Sequence, residues 1–193
     1  MSLPADTIYP VILPVPEIDR QLKGREKVKS LSRYARLALE QSCAKSGLRL
    51  EDLPKDDQGV PLPVDGVYWS LSHKSAIVGG VAATLPVGLD LETVRPVNQA
   101  LLARIADDPE WRLAGNREAA SFFRFWTAKE AVLKAVGKGM AGLSRCRIVA
   151  IETSTRMILT YDNLPWPVEH RWFGDHVAAM AVQQDTVVWS LSS

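Results

Sequence analysis

Residues 123–139 read Phe-Arg-Phe-Trp-Thr-Ala-Lys-Glu-Ala-Val-Leu-Lys-Ala-Val-Gly-Lys-Gly, and two of their charged side chains, Glu130 and Lys134, stand at helical spacing. At 100° per residue Phe122, Trp126, Leu133 and Val136 share one narrow arc, and Glu130 and Lys134 lie together along its flank. Earlier in the chain, Val87-Gly-Leu-Asp-Leu-Glu92 has the alternation of a strand. Asp90 and Glu92 point to one face, and Leu89 and Leu91 to the other, toward a core. Three carboxylates and a lysine can thus converge, a set suited to a hard divalent cation such as Mg²⁺ and to a phosphate. Taken singly, each pair has a plainer reading. Asp90 and Glu92 fit the outward face of an edge strand, and Glu130 with Lys134 fits a surface pair worth a few tenths of a kcal/mol. Lys129 falls inside the apolar arc, so it either snorkels outward along its own stem or reaches Asp90, Glu92 or the ligand.

These residues need a helix and a sheet to hold them, and the rest of the chain supplies both. Residues 7–15 are rich in Ile and Val but broken by Pro10 and Pro14, which fits an edge strand or an extended arm. From Arg25 to Lys45 the apolar positions Val28, Leu31, Ala35, Ala38, Leu39 and Cys43 predict a helix that Ser46-Gly47 ends. Its polar side carries Arg25, Lys27, Lys29, Arg33 and Arg36. A proline- and glycine-bearing loop over residues 48–65 leads into strands at 67–73, 76–83 and 87–92. A short helix over residues 98–106 and a second started by Asp108-Pro109-Glu110 precede the long helix, which runs from near Asn116 to Gly137 or Gly139. Strands follow at 147–153, 157–161, 169–173, 176–182 and 187–191, with Gly174-Asp175 as a type II′ turn. The expected fold is α+β: two similar halves, 1–95 and 96–193, each a small antiparallel sheet packed with a long helix about a pseudo-twofold. The hinge between them falls at Thr93 to Pro96.

Composition narrows the classes. A chain of 193 residues with 47% hydrophobic content and a net charge of +1 has no general attraction for nucleic acid or an anionic membrane. Any anion it binds must meet local basic groups. Cys43 and Cys146 match no zinc spacing and fit buried thiols in a reducing compartment. The stretch Met1-Ser-Leu-Pro-Ala-Asp-Thr lacks the pattern of a secretory signal, and no segment has the length of a membrane span, so a cytoplasmic location is expected.

Three motifs occur in a fixed order: Ser70-Leu-Ser72-His73, Gly88-Leu-Asp90-Leu-Glu92, and Trp126-Thr-Ala-Lys129-Glu130-Ala131-Val-Leu-Lys134-Ala-Val-Gly137-Lys-Gly139. In order and approximate spacing they resemble the 4′-phosphopantetheinyl transferases, in the larger single-chain type named for the surfactin synthetase activator. The resemblance implies transfer of the 4′-phosphopantetheine arm of coenzyme A to a serine of an apo acyl or peptidyl carrier protein, releasing adenosine 3′,5′-bisphosphate. It implies that Asp90, Glu92 and Glu130 bind Mg²⁺ and that Lys134 neutralises a phosphate oxygen. Ser72 and His73 would bind coenzyme A phosphate, and Glu130, directly or through water, would take the proton of the carrier serine. A monomer with two halves would suffice.

The chain departs from the family where members usually carry Gly-Lys-Pro, since it has Gly59-Val60-Pro61. Val60 supplies no charge for the 3′-phosphate of coenzyme A. The expected substitutes are His73 and the basic side of the first long helix, at Lys29, Arg33 and Arg36. Two other classes share these motifs: an inactive relative that only binds coenzyme A or a carrier, and a Mg²⁺-dependent pyrophosphate hydrolase. Bisphosphate released only with carrier, released without it, or not released separates the three.

Overall fold

The computed structural model describes residues 7–183 and 186–191. Its elements are α+β in two antiparallel-rich sheets, each with a long helix laid on it. The first sheet has the order β2-β3-β1-β9, from β1 (Val11–Pro14), β2 (Tyr68–His73), β3 (Ile77–Ala83) and β9 (Ser190–Leu191). The second has the order β4-β8-β7-β6-β5, from β4 (Val87–Thr93), β5 (Cys146–Ile151), β6 (Arg156–Tyr161), β7 (Leu164–Phe173) and β8 (His176–Val182). The helices are α1 (Glu17–Arg20), α2 (Gly24–Ser46), α3 (Gln99–Ile105), α4 (Asp108–Ala114) and α5 (Ala119–Ala135), with a 3₁₀ turn at Met140–Arg145.

The two sheets do not divide the chain at residue 95. β4 leaves its sequence neighbour β3 and joins the second sheet beside β8, while β9 returns to the first sheet and pairs in parallel with β1. β1 therefore lies between β3 and β9 and is not an edge. Its prolines are accommodated because Pro10 contributes its carbonyl, which accepts from Ser190 N at 2.9 Å, while Val15 N rather than Pro14 donates to Ala76 O. β7 is longer than its sequence predicts, because Pro165 and Pro167 lie inside it. Both precede Val168, the first residue paired with β8, so on that side no ladder donor is missed. The Gly174-Asp175 turn joins Phe173 to His176 as expected, with φ of 57° at the glycine.

Each long helix sits on a strand glycine. The α2 face formed by Leu31, Ala35, Ala38, Leu39 and Cys43 packs over β1–β3, and a Cβ on Gly80 would lie 2.4 Å from Leu39 N. Ser42 ties the same contact by accepting from Ala82 N at 3.0 Å and donating to Tyr9 O at 2.7 Å. α5 buries Phe122, Phe125, Ala128, Ala131, Val132 and Leu133 against the second sheet. A Cβ on Gly88 would lie 1.9 Å from Ala131 O and 2.7 Å from Ala135 N.

Lys129 is buried, as its place in the apolar arc requires, but its partner is neither Asp90 nor Glu92. Its Nζ lies 2.7 Å from Glu110 Oε1, and both side chains are only 3% exposed. The cause is helical geometry. Neighbouring residues on a helix diverge by 100°, so when Glu130 faces β4, Lys129 faces α4 and β5. Both oxygens of Glu110 are engaged: Oε1 also accepts from Ile148 N at 2.8 Å, and Oε2 accepts from Asp107 N at 3.0 Å. Asp107 Oδ1 returns a bond from Glu110 N at 3.0 Å, so the α4 cap is Asp107, one residue earlier than expected, with Pro109 inside the first turn. Cys146 lies in the same buried surroundings, and burial pushes its thiol up to about 12.

Two outcomes follow from this packing. Gly88→Ala should cost about 3 kcal/mol or more, since the clash is with backbone that no rotamer change relieves; urea denaturation reads it, and an unchanged midpoint would mean α5 does not sit at this depth. Lys129→Met should cost about 3–5 kcal/mol by leaving the Glu110 carboxylate buried and unpaired. Adding Glu110→Gln, which keeps the acceptor for Ile148 N, should recover part of that loss in the same measurement.

Candidate active site

The site lies where the edges of the two sheets meet. β4 is hydrogen-bonded to β8 on one side only, so its Leu89 and Leu91 N–H groups need acceptors on the other. Two serine hydroxyls of β2 provide them: Leu89 N donates to Ser70 Oγ at 3.0 Å and Leu91 N to Ser72 Oγ at 3.1 Å. Side chains thus replace a main-chain ladder and hold the two sheet edges together. Ser72 then spends its own proton on Asp90, donating to Oδ1 at 3.1 Å.

The face of β4 that carries Asp90 and Glu92 is the face α5 covers, because Gly88 admits the helix so closely. Both carboxylates are accordingly buried, Asp90 at 6% exposure and Glu92 at 9%, rather than on the outside of an edge strand. Lys134 reaches across this contact and donates to Leu89 O at 2.9 Å and to Asp90 Oδ1 at 2.7 Å. Glu92 is met by a residue that the sequence did not single out: Lys74 Nζ lies 2.8 Å from Glu92 Oε1. The only signal for Lys74 was its place directly after His73.

Glu130 completes the group. Its carboxyl is raised above the ordinary value, by burial first and then by the charge of Asp90, with Lys134 opposing and Glu92 adding to the rise. The three carboxylates therefore act on one another, although among the described residues no three ligands are drawn into a ready-made cage. Asp90 Oδ2 is buried and has no hydrogen-bond partner. An orphaned hard oxygen, with two further carboxylates in electrostatic range, fits a divalent cation.

His73 ends β2 at the rim of this group. Its imidazole is held below its ordinary value by desolvation and then by the charges of Lys134, Lys74 and Lys55, so it is neutral near pH 7. The basic residues of α2 divide between two grooves. Arg33 lies 3.4 Å from Asp19 Oδ2, and with Lys29 it lines a groove of about 290 Å³ beside Leu22 and Glu26. Arg36 lines a different groove, of about 660 Å³, with Leu39, Glu40 and Cys43. Lys29 and Arg36 align around the helix but stand two turns, roughly 10 Å, apart along it.

Comparison with known proteins adds an independent line. The family model of the 4′-phosphopantetheinyl transferase superfamily matches residues 86–191, more than half of the chain. The chain is 32% identical over 106 residues to the 4′-phosphopantetheinyl transferase psf-1 of Bacillus pumilus, covering 50% of this chain and 46% of that protein. It is 33% identical over 102 residues to the 4′-phosphopantetheinyl transferase HetI of Nostoc, with 49% and 43% covered. With the 4′-phosphopantetheinyl transferase gsp of Aneurinibacillus migulanus it shares 30% over 90 residues, 45% and 38% of the two chains. The matched part thus spans less than half the length of each of these relatives. The region that the family model matches includes β4 and α5, the elements that carry Asp90, Glu92, Glu130 and Lys134, and the chain belongs to the 4′-phosphopantetheinyl transferase superfamily.

Proposed function

We propose that this protein moves the 4′-phosphopantetheine arm of coenzyme A onto a serine of an apo acyl or peptidyl carrier protein. The observation that carries the reading is the buried Asp90 carboxylate, one oxygen held by Lys134 and Ser72 and the other unpartnered, beside a Glu130 whose proton affinity is raised. Asp90, Glu92 and Glu130 would hold Mg²⁺, which when bound supplies Lewis-acid stabilisation of the pyrophosphate charge. Ser72 fixes Asp90 and, with the neighbouring His73, marks the phosphate end of the site. Lys134, already anchored on β4, offers its ammonium to a phosphate oxygen of the substrate.

The carrier serine oxygen forms a bond to the β-phosphorus, and the bond from that phosphorus to the bridging oxygen breaks. Adenosine 3′,5′-bisphosphate leaves with the bonding pair. Glu130 takes the serine proton. A carboxyl raised toward the working pH suits that step better than an ordinary surface glutamate, which binds a proton too weakly. Two free, buried thiols fit a cytoplasmic enzyme, and the chain is read as acting as a monomer.

Mass spectrometry of apo acyl and peptidyl carrier proteins after incubation with coenzyme A, Mg²⁺ and this protein tests the reading, through the mass of the added arm and the release of bisphosphate. Release without carrier would make the protein a hydrolase, and no release would leave it a binding relative. Asp90→Asn should lower transfer by at least about a hundred-fold, a loss of roughly 2.7 kcal/mol of transition-state stabilisation, with the circular dichroism spectrum retained. Lys134→Met should damage both coenzyme A affinity and turnover, and wild-type behaviour would reduce Lys134 to a structural link between α5 and β4.

Glu130→Gln gives a test independent of turnover. A carboxyl raised in the folded state favours folding only while protonated, so its contribution is complete below the ordinary value of 4.5 and is lost as pH rises through the folded value. The permanently neutral Gln should therefore have a higher melting temperature than the parent at about pH 8 without divalent cations, and the gap should close toward about pH 4. Parallel melting curves across that range would contradict the burial of Glu130 beside Asp90.

A further inference from the structure

The turn between β2 and β3 sets a second ammonium against the carboxylates. Lys74 opens that turn, and its main chain is fixed there, since His73 pairs with Val78 and Lys74 N donates to Ile77 O at 2.8 Å. From the first sheet the side chain crosses the seam and places Nζ 2.8 Å from Glu92 Oε1, on β4 of the second. Glu92 is the one hydrogen-bond and ion-pair partner of that ammonium among the described residues.

Lys134 and Lys74 hold their carboxylates differently. Lys134 is tied at two points, to Leu89 O and Asp90 Oδ1, and it leaves Asp90 Oδ2 buried and unpartnered, so Asp90 can offer an oxygen to a cation with its own lysine still in place. Glu92 contributes no orphaned buried oxygen among the described residues. A divalent cation and an ammonium on one buried carboxylate would be like charges a few ångströms apart, where water screens them poorly. One of them must yield. The Lys74 side chain is 34% exposed and that of Glu92 12%, so the ammonium can swing into water on its flexible four-carbon stem while the carboxylate stays where β4 holds it.

We propose that Lys74 is a tethered counter-cation for Glu92 which a divalent cation displaces, so that metal loading at Asp90, Glu92 and Glu130 exchanges one cation for another. The assignment rests on the reading of these carboxylates as metal ligands, and it makes Lys74 a positioning residue that sets how tightly the metal is held. Exchange has a thermodynamic signature. The Lys74–Glu92 pair stabilises the protein only until the metal takes Glu92, so removing the ammonium lowers metal-free stability and raises metal affinity by the same free energy. Loaded parent and loaded variant then have equal stability.

Lys74→Met removes the charge and keeps most of the stem, and the turn is held by main-chain bonds, so the variant folds. Mn²⁺ binding, followed without coenzyme A by loss of the free-ion electron paramagnetic resonance signal, should be about ten-fold tighter in Lys74→Met than in the parent, equivalent to about 1.4 kcal/mol. In chelator the variant should melt at a lower temperature than the parent, and the two should meet at saturating Mg²⁺. Lys74→Arg, which keeps the charge and grips a carboxylate with two donors, should bind Mn²⁺ no more tightly than the parent. Equal affinity in parent and Lys74→Met would mean that the cation leaves the pair intact, and weaker binding in Lys74→Met would mean that the lysine holds Glu92 ready for the metal. Either result overturns the exchange, as does a melting gap that persists at saturating Mg²⁺. Absence of Mn²⁺ binding and of any Mg²⁺ effect on melting in both proteins would instead overturn the reading of the carboxylates as a metal site.

Discussion

The close approach of α5 to β4 at Gly88 determines most of what is distinctive about this molecule. A helix backbone within contact distance of a strand backbone is possible only where the strand carries no Cβ, and here the added atom would meet Ala131 O at 1.9 Å. That depth buries the strand face holding Asp90 and Glu92, which on an open edge would be solvated. It brings Lys134 within reach of both the Leu89 carbonyl and the Asp90 carboxylate. It also fixes the rotation of α5, and with Glu130 turned toward β4 the side chain of Lys129 is directed to the far side, where Glu110 meets it. One missing methyl group thus sets the geometry of a charged cluster on one flank of the helix and of a buried ion pair on another.

The second constraint is the seam between the sheets. Two sheet edges brought together would leave unpaired N–H groups inside the protein, each costing about 1–3 kcal/mol. Ser70 and Ser72 remove that cost and also determine which residues meet. Because Ser72 both accepts from Leu91 N and donates to Asp90, the seam and the site share an atom, and neither sheet alone contains the cluster. Strand exchange strengthens the union, with β4 given to the second sheet and β9 to the first.

Much of the site was legible from periodicity alone. The i,i+4 relation of Glu130 and Lys134 and the alternation of Asp90 and Glu92 are properties of a helix and a strand wherever those elements go. What could not be read is where separate elements meet. Nothing local to Lys129 names Glu110 as its partner, because the pairing depends on how α4 docks against α5, and the Glu110 pattern announces only a helix cap. β4 follows β3 after a short connection that looks like a hairpin, yet it pairs with β8, and the exposed basic side of α2 gave no sign that its residues face two separate grooves. Lys74 escaped for the same reason, since a surface lysine acquires meaning only from the residue opposite it.

The electrostatic arrangement explains why these side chains are held so firmly. Two carboxylates buried together with a third nearby repel, and the Glu130 carboxyl, raised first by burial and then by the charge of Asp90, carries part of that cost. Lys134 and Lys74 offset it by neutralising one oxygen each of Asp90 and Glu92, yet Asp90 Oδ2 is left without a partner. The three carboxylates outnumber the two lysines, and they are held in that imbalance by the same residues, Ser72 and Lys134, that join the two sheet edges and tie α5 to β4.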